Sequence, residues 1–279
     1  MYSSVDLDTV INIEAKQHLQ TMLKSSVNNA RNQICQTCIN VLAHYRKTVS
    51  TTSASAQFVL PESMKVYPIL ILGLMKTPAF ALMEDAKLDN KIASMMQLRS
   101  CSFPHFLMKI YPKMYSIEQI INPELQWGSF IVNEADQTMS NTLFKPANIP
   151  ISADKIVTTD AYFLVNSDFI YVYLPNSVSE TILMEVFGKQ TVSEIVPEEG
   201  IPVLETEANK RVRNVVDHIR KEKGGAYQQV KIILSTSSQA NSILRDLLVE
   251  DSKNPKKEFA YLQFLTHLHR MILTRVQSI

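Results

Sequence analysis

Glycine is scarce in this chain, at six of 279 residues. Tight β-turns need positive-φ positions that glycine fills most easily, so the scarcity argues against a turn-rich all-β fold. Cysteine is scarce too. Cys35, Cys38 and Cys101 make an odd number, too few for a disulfide-framed secreted domain, and a reducing compartment is expected. Long apolar runs are also missing. The longest, Val66 to Met75, holds ten uncharged residues between Lys65 and Lys76. As a helix it covers roughly half of a bilayer core, which takes about 20 residues to cross. The opening "MYSSVDLDTV" lacks the basic region and apolar core of a signal peptide. The protein is expected to be soluble, or peripheral on a membrane at most.

Charge of one sign is lacking as well. The 28 basic and 27 acidic residues leave +1, which argues against a general nucleic-acid binder. Residues 1–120 hold 12 Lys+Arg against 8 Asp+Glu, hence +4; residues 121–279 hold 16 against 19, hence −3. That asymmetry is too mild to define a partner. No phosphate-binding G-x-x-x-x-G-K or G-x-G-x-x-G occurs, and no G-x-S-x-G or H-E-x-x-H.

What is present first is helix. Asp8 is placed to cap a helix carrying Val10, Ile11, Ala15, Leu19, Met22 and Leu23. Ser25 or Ser26 can cap a second. There Val27, Ala30, Ile34, Cys38, Val41 or Leu42, and Tyr45 form one buried stripe. "STTSASAQ", 50–57, reads as a loop. In "FVLPESMKVYPILILGLMKTPAF", 58–80, Pro61 suits a first helical turn, whereas Pro68 is expected to kink or break the helix. The apolar run has no polar face and must be covered all round, so it is expected at the centre of a helical bundle, with Leu72 buried. Residues 87–120 read as two helical pieces, separated at Pro104 and stopping near Pro112. From 121 to 150 no period is sustained. That stretch is expected to be an extended connector, anchored by Trp127 or offering it to a partner.

After 151 the pattern changes. Residues 161–165 and 169–174 read as strands joined at Asn166-Ser167-Asp168, a hairpin. Ser177 can cap a helix ending near Gly188. "ANKRVRNVVDHIRKEKGG" predicts a helix with Val212, Val215, Val216 and Ile219 inward, stopped at Gly224 and Gly225. A strand over 229–236 and helices over 238–249 and 258–275 follow. In the last, Phe259, Leu262, Leu265, Leu268 and Ile272 suggest one apolar stripe. One sheet with flanking helices makes this half an α/β sandwich.

Candidate chemistry is thin. Cys35-x-x-Cys38 has the spacing of half a zinc site but no second pair, and its place in a helical pattern makes both packing residues. His267 and His269 are two apart on a helix, so they face different ways and cannot share a metal. Glu198 and Glu199 belong to a solvated turn. Lys210, Arg211, Arg213, Arg220, Lys221 and Lys223, interrupted by Asp217 and Glu222, are either a solvated helix face or a docking face for an acidic partner or anionic membrane. No catalytic, cofactor or metal residue is assigned. An enzyme of unrecognised type stays open as a rival reading.

The segments "FVLPESMKVYPILILGLMKTPAF", "IYPKMYSI", "NKRVRNVVDHIR" and "EFAYLQFLTHLHRMI" stand in an order and at spacings that resemble the C-terminal part of the Sec24 family, the cargo-selecting subunits of the inner COPII coat. "DLDTVINIEAKQHLQTMLKSS" and "INVLAHYRK" resemble the start of that family's helical domain. The resemblance implies an α+β chain: an all-α helical domain (1–120), a connector (121–150), a gelsolin-like α/β sandwich (151–255) and a C-terminal helix (256–279) packing back on the body. It implies a non-catalytic, structural and cargo-adaptor role in COPII transport from the endoplasmic reticulum to the Golgi. The location would be cytoplasmic, peripheral on the endoplasmic reticulum membrane, its exit sites and COPII vesicles. Implied partners are the GTPase-activating sister subunit, cargo sorting signals and SNAREs. Longer family members carry a structural zinc in an N-terminal module, and no cofactor is implied within these residues. Their cargo groove lies between a trunk and the gelsolin-like domain, and no pocket residue is matched here. The family often ends the second hairpin strand with Trp and Gly, where this chain reads Tyr171-Val172-Tyr173-Leu174-Pro175. An actin-binding gelsolin-type module is the alternative.

Overall fold

A computed structural model describes residues 5–22, 24–48, 59–82, 87–122, 128–132, 142–222, 227–255 and 258–278. Two compact units divide the chain: 1–111 together with 249–279, and 112–248. The boundary expected near 120 therefore falls after Tyr111. The reason is local: Lys113–Ser116, expected to lie within the helical part, are a strand that pairs with the sheet of the second unit.

The first unit is all helical. It contains α1 (Leu7–Met22), α2 (Val27–Thr48), α3 (Tyr67–Lys76), α4 (Leu88–Ser100), α5 (Phe103–Ile110) and, from the far end of the chain, α10 (Tyr261–Ser278). Asp6, not Asp8, caps α1: its carboxylate accepts from the Thr9 amide at 3.3 Å and the Thr9 hydroxyl at 2.6 Å. Ser26 caps α2 by accepting from the Asn29 amide at 3.2 Å. The α1 stripe is Leu7, Ile11, Ala15, Leu19 and Met22, with Val10 exposed; the α2 stripe is Ala30, Ile34, Cys38, Leu42 and Tyr45.

Every residue of α3 from Tyr67 to Met75 is buried, as a helix without a polar face requires. Of the kink or break expected at Pro68, the structure has the break. Residues 62–64 form a separate short turn and α3 begins afresh at Tyr67. Pro68 thus sits in a first turn, where its missing N–H has no intrahelical partner to lose. One cation, Arg31, caps the C-terminal end of α3 by donating to the Met75 carbonyl (2.6 Å), and it also donates to the Phe80 carbonyl in the turn that follows (2.9 Å). Gly73 is where α3 meets α5. A Cβ there would stand 2.1 Å from the Ile110 carbonyl oxygen.

The last helix closes this core with Phe264, Leu268 and Ile272, all buried, and packs on α2 and α3. Its inward face is rotated from the expected stripe: Phe259 and Leu262 are exposed, Leu262 at 77%. The returning chain is gripped just before it. Lys76 donates to the carbonyls of Val249 (2.7 Å) and Asp251 (2.6 Å), and the Tyr111 hydroxyl donates to Glu250 at 2.6 Å.

The second unit is built on a four-stranded mixed sheet in the order β1 (Lys113–Ser116), β4 (Tyr162–Val165), β5 (Phe169–Leu174), β6 (Gln229–Leu234). The first two pairings are antiparallel and β5–β6 is parallel. A parallel neighbour needs a crossover. It is supplied by α7 (Glu180–Ile182), a wide turn over Leu183–Phe187 and α8 (Glu207–Glu222); α9 (Ser238–Leu247) follows β6. Ser179, rather than Ser177, caps α7, and Gly188 at φ 65° ends the wide turn. Asn166 makes the hairpin turn by accepting from the amides of Asp168 and Phe169, both at 2.8 Å. The inward face of α8 is Val212, Val215, Val216 and Ile219, as its spacing predicts.

Between β1 and β4 lies α6 (Ile117–Ile121), followed by the antiparallel pair β2 (Gly128–Val132) and β3 (Thr142–Pro146). The stretch expected to be a connector therefore contains a two-stranded sheet. Trp127, the loop at 50–57, Leu23, Lys223, Gly224 and Gly225 lie outside the described residues.

Candidate interaction surfaces

Cys35 and Cys38 lie one turn apart on α2, Cys38 fully buried, and all three cysteines are free thiols. Burial pushes both thiols up from their ordinary range, Cys38 far up, which suppresses the thiolate a metal or an electrophile would need. His267 stacks on Phe259 with ring centroids 5.2 Å apart, and burial holds its imidazole below its ordinary pKa. Among the described residues no three His, Cys, Asp or Glu side chains converge as a metal site would need.

Buried polar groups instead tie elements together. Asp160 accepts from the Ser116 hydroxyl (2.5 Å) and the amides of Glu118 (2.9 Å) and Ala161 (2.6 Å), so it pins the start of α6 to β4. Burial raises its pKa, and those three donors hold it down. Asn209, wholly buried, donates to the carbonyls of Val186 (2.7 Å) and Pro202 (2.9 Å) and accepts from the Leu204 amide (3.1 Å). It fixes the first turn of α8 to the loop before it. These are structural roles that the sequence reading passed over; a lone Asn or Asp carries no spacing signal for them.

The basic helix is α8, and its charges are largely spent within the unit. Arg211 donates to the Ile121 carbonyl (2.8 Å) and Arg213 to the Asn209 side chain (2.8 Å). Arg220 donates to the Gln228 carbonyl (2.8 Å) and lies over the Tyr227 ring at 4.9 Å. Lys210 is within 3.5 Å of Glu205 and Glu207. Of the described members only Lys221 has no such engagement, so the solvated-face reading gains over a docking face. Glu198 and Glu199 are exposed on a short turn ended by Gly200 at φ 68°. The Tyr171 and Tyr173 positions, where the family departs, are buried in the sheet.

No helix among the described residues is long and apolar enough to cross a membrane. The chain comprises a compact helical unit and a unit built on a small mixed sheet. Residues 6–108 match the Sec23/Sec24 helical domain family, which defines the class. Beyond that match, the whole chain is similar to Sec24 proteins. It is 24% identical over 98% of its length to "Protein transport protein SEC24 B" of Arabidopsis thaliana and 24% identical over 98% to "Protein transport protein Sec24B" of Homo sapiens. It spans only 23% and 20% of those relatives' lengths. Its fold is shared with the crystal structure of the human COPII-coat protein Sec24c, at TM-score 0.76 and 23% identity, over 99% of this chain and 34% of that one.

Proposed function

We propose that this chain serves as a structural, cargo-adaptor portion of a COPII vesicle coat subunit in transport from the endoplasmic reticulum to the Golgi, without catalysis of its own. The observation that carries the reading is continuity: the likeness to protein-transport proteins runs through both units and the returning helix, over 98% of the chain. The partners implied are the GTPase-activating sister subunit, cargo sorting signals and SNAREs, with peripheral association on the endoplasmic reticulum membrane from the cytoplasmic side. The relatives named above give the actin-binding alternative no support. The reading is tested by affinity capture of tagged full-length protein containing this chain. Co-purification of the GTPase-activating subunit is expected. Its absence, with actin recovered instead, overturns the proposal.

The same reading includes no resident metal within these residues. It is supported by the donor set: two thiols one helical turn apart, one of them buried, without a third ligand beside them among the described residues. Elemental analysis of protein purified without chelator should find no stoichiometric zinc. One zinc per chain overturns this part alone.

A further inference from the structure

We draw no further inference here: the strongest candidate, the hydroxyl-rich loop 235–237 that leads from the carboxyl end of β6 into the first turn of α9, is a helix N-terminus in which Ser235 donates to the Asn176 side chain and Ser237 accepts from the Ala240 amide, and nothing in the structure points to a ligand there.

Discussion

Leu72 and Gly73 are adjacent on α3 and answer to opposite constraints. Leu72 is 2% exposed in the bundle centre, so Leu72→Ala should cost about 2–5 kcal/mol, read from the denaturant midpoint. An unchanged midpoint would contradict the central placement of α3. Gly73 has no room to spare. The Ile110 carbonyl lies 2.1 Å from where a Cβ would sit, and that obstacle is backbone. Gly73→Ala should destabilise by about 1–3 kcal/mol although alanine favours helix; a gain in stability would mean the two helices part freely. Lys76, three positions on, gives a pH signature. Burial holds its amine at about 8 against an ordinary 10.5. Between those values the unfolded chain binds the extra proton, so this group's contribution to stability rises as pH climbs through the window. The raised thiols of Cys35 and Cys38 act oppositely from about 9 upward, which makes a difference measurement necessary. The stability of wild type relative to Lys76→Met should rise from pH 7 to 9, and a constant difference would show that Lys76 titrates as in water.

Among elements, α10 separates pattern from placement most clearly. Its helical period is plain in the sequence, but the period fits more than one stripe. Phe259 and Leu262 continue the ladder of Leu265, Leu268 and Ile272 as well as Phe264 does. Which stripe turns inward depends on α2 and α3, about two hundred residues away in the chain. Phe264→Ala should therefore cost about 3–5 kcal/mol and Leu262→Ala no more than about 0.5 kcal/mol, by thermal or denaturant unfolding. Equal losses would restore the stripe read from the sequence. Deleting residues 258–279 should expose the α2 and α3 surfaces beneath and cause aggregation. A soluble, equally stable truncation would assign α10 to a partner instead. The helices α1, α2, α3 and α8 were legible because their burial is one-sided or total, and both patterns show in composition. The strand Lys113–Ser116 was not. Four residues are too few to set a period, and the apolar residues on either side of Pro112 continue the preceding helical look.

At the scale of the molecule, the helical unit is assembled from both ends of the chain, and the sheet unit is the stretch of sequence between them. The order of motifs implies a last helix packing back on the body, but not which unit it joins. The closure is made by Lys76 on the carbonyls of Val249 and Asp251, by Tyr111 on Glu250 and by the apolar contacts of Phe264. The candidate surfaces divide in the same manner. The basic cluster of α8 was visible at once, yet three of its arginines bond within the unit. Leu88, Ile92 and Met96 on α4 carry the same helical spacing as a core stripe yet are exposed. By itself the sequence determined which segments are helical, where the hairpin turns, and to which family the order of its motifs points. Those follow from local periodicity, turn chemistry and composition. Only the tertiary structure decided which of two possible faces a helix buries, that the last helix returns to the first unit, and which charges remain free for a partner. Each of these depends on what lies opposite a side chain in space, and neighbours distant in sequence leave no periodic trace in the chain itself.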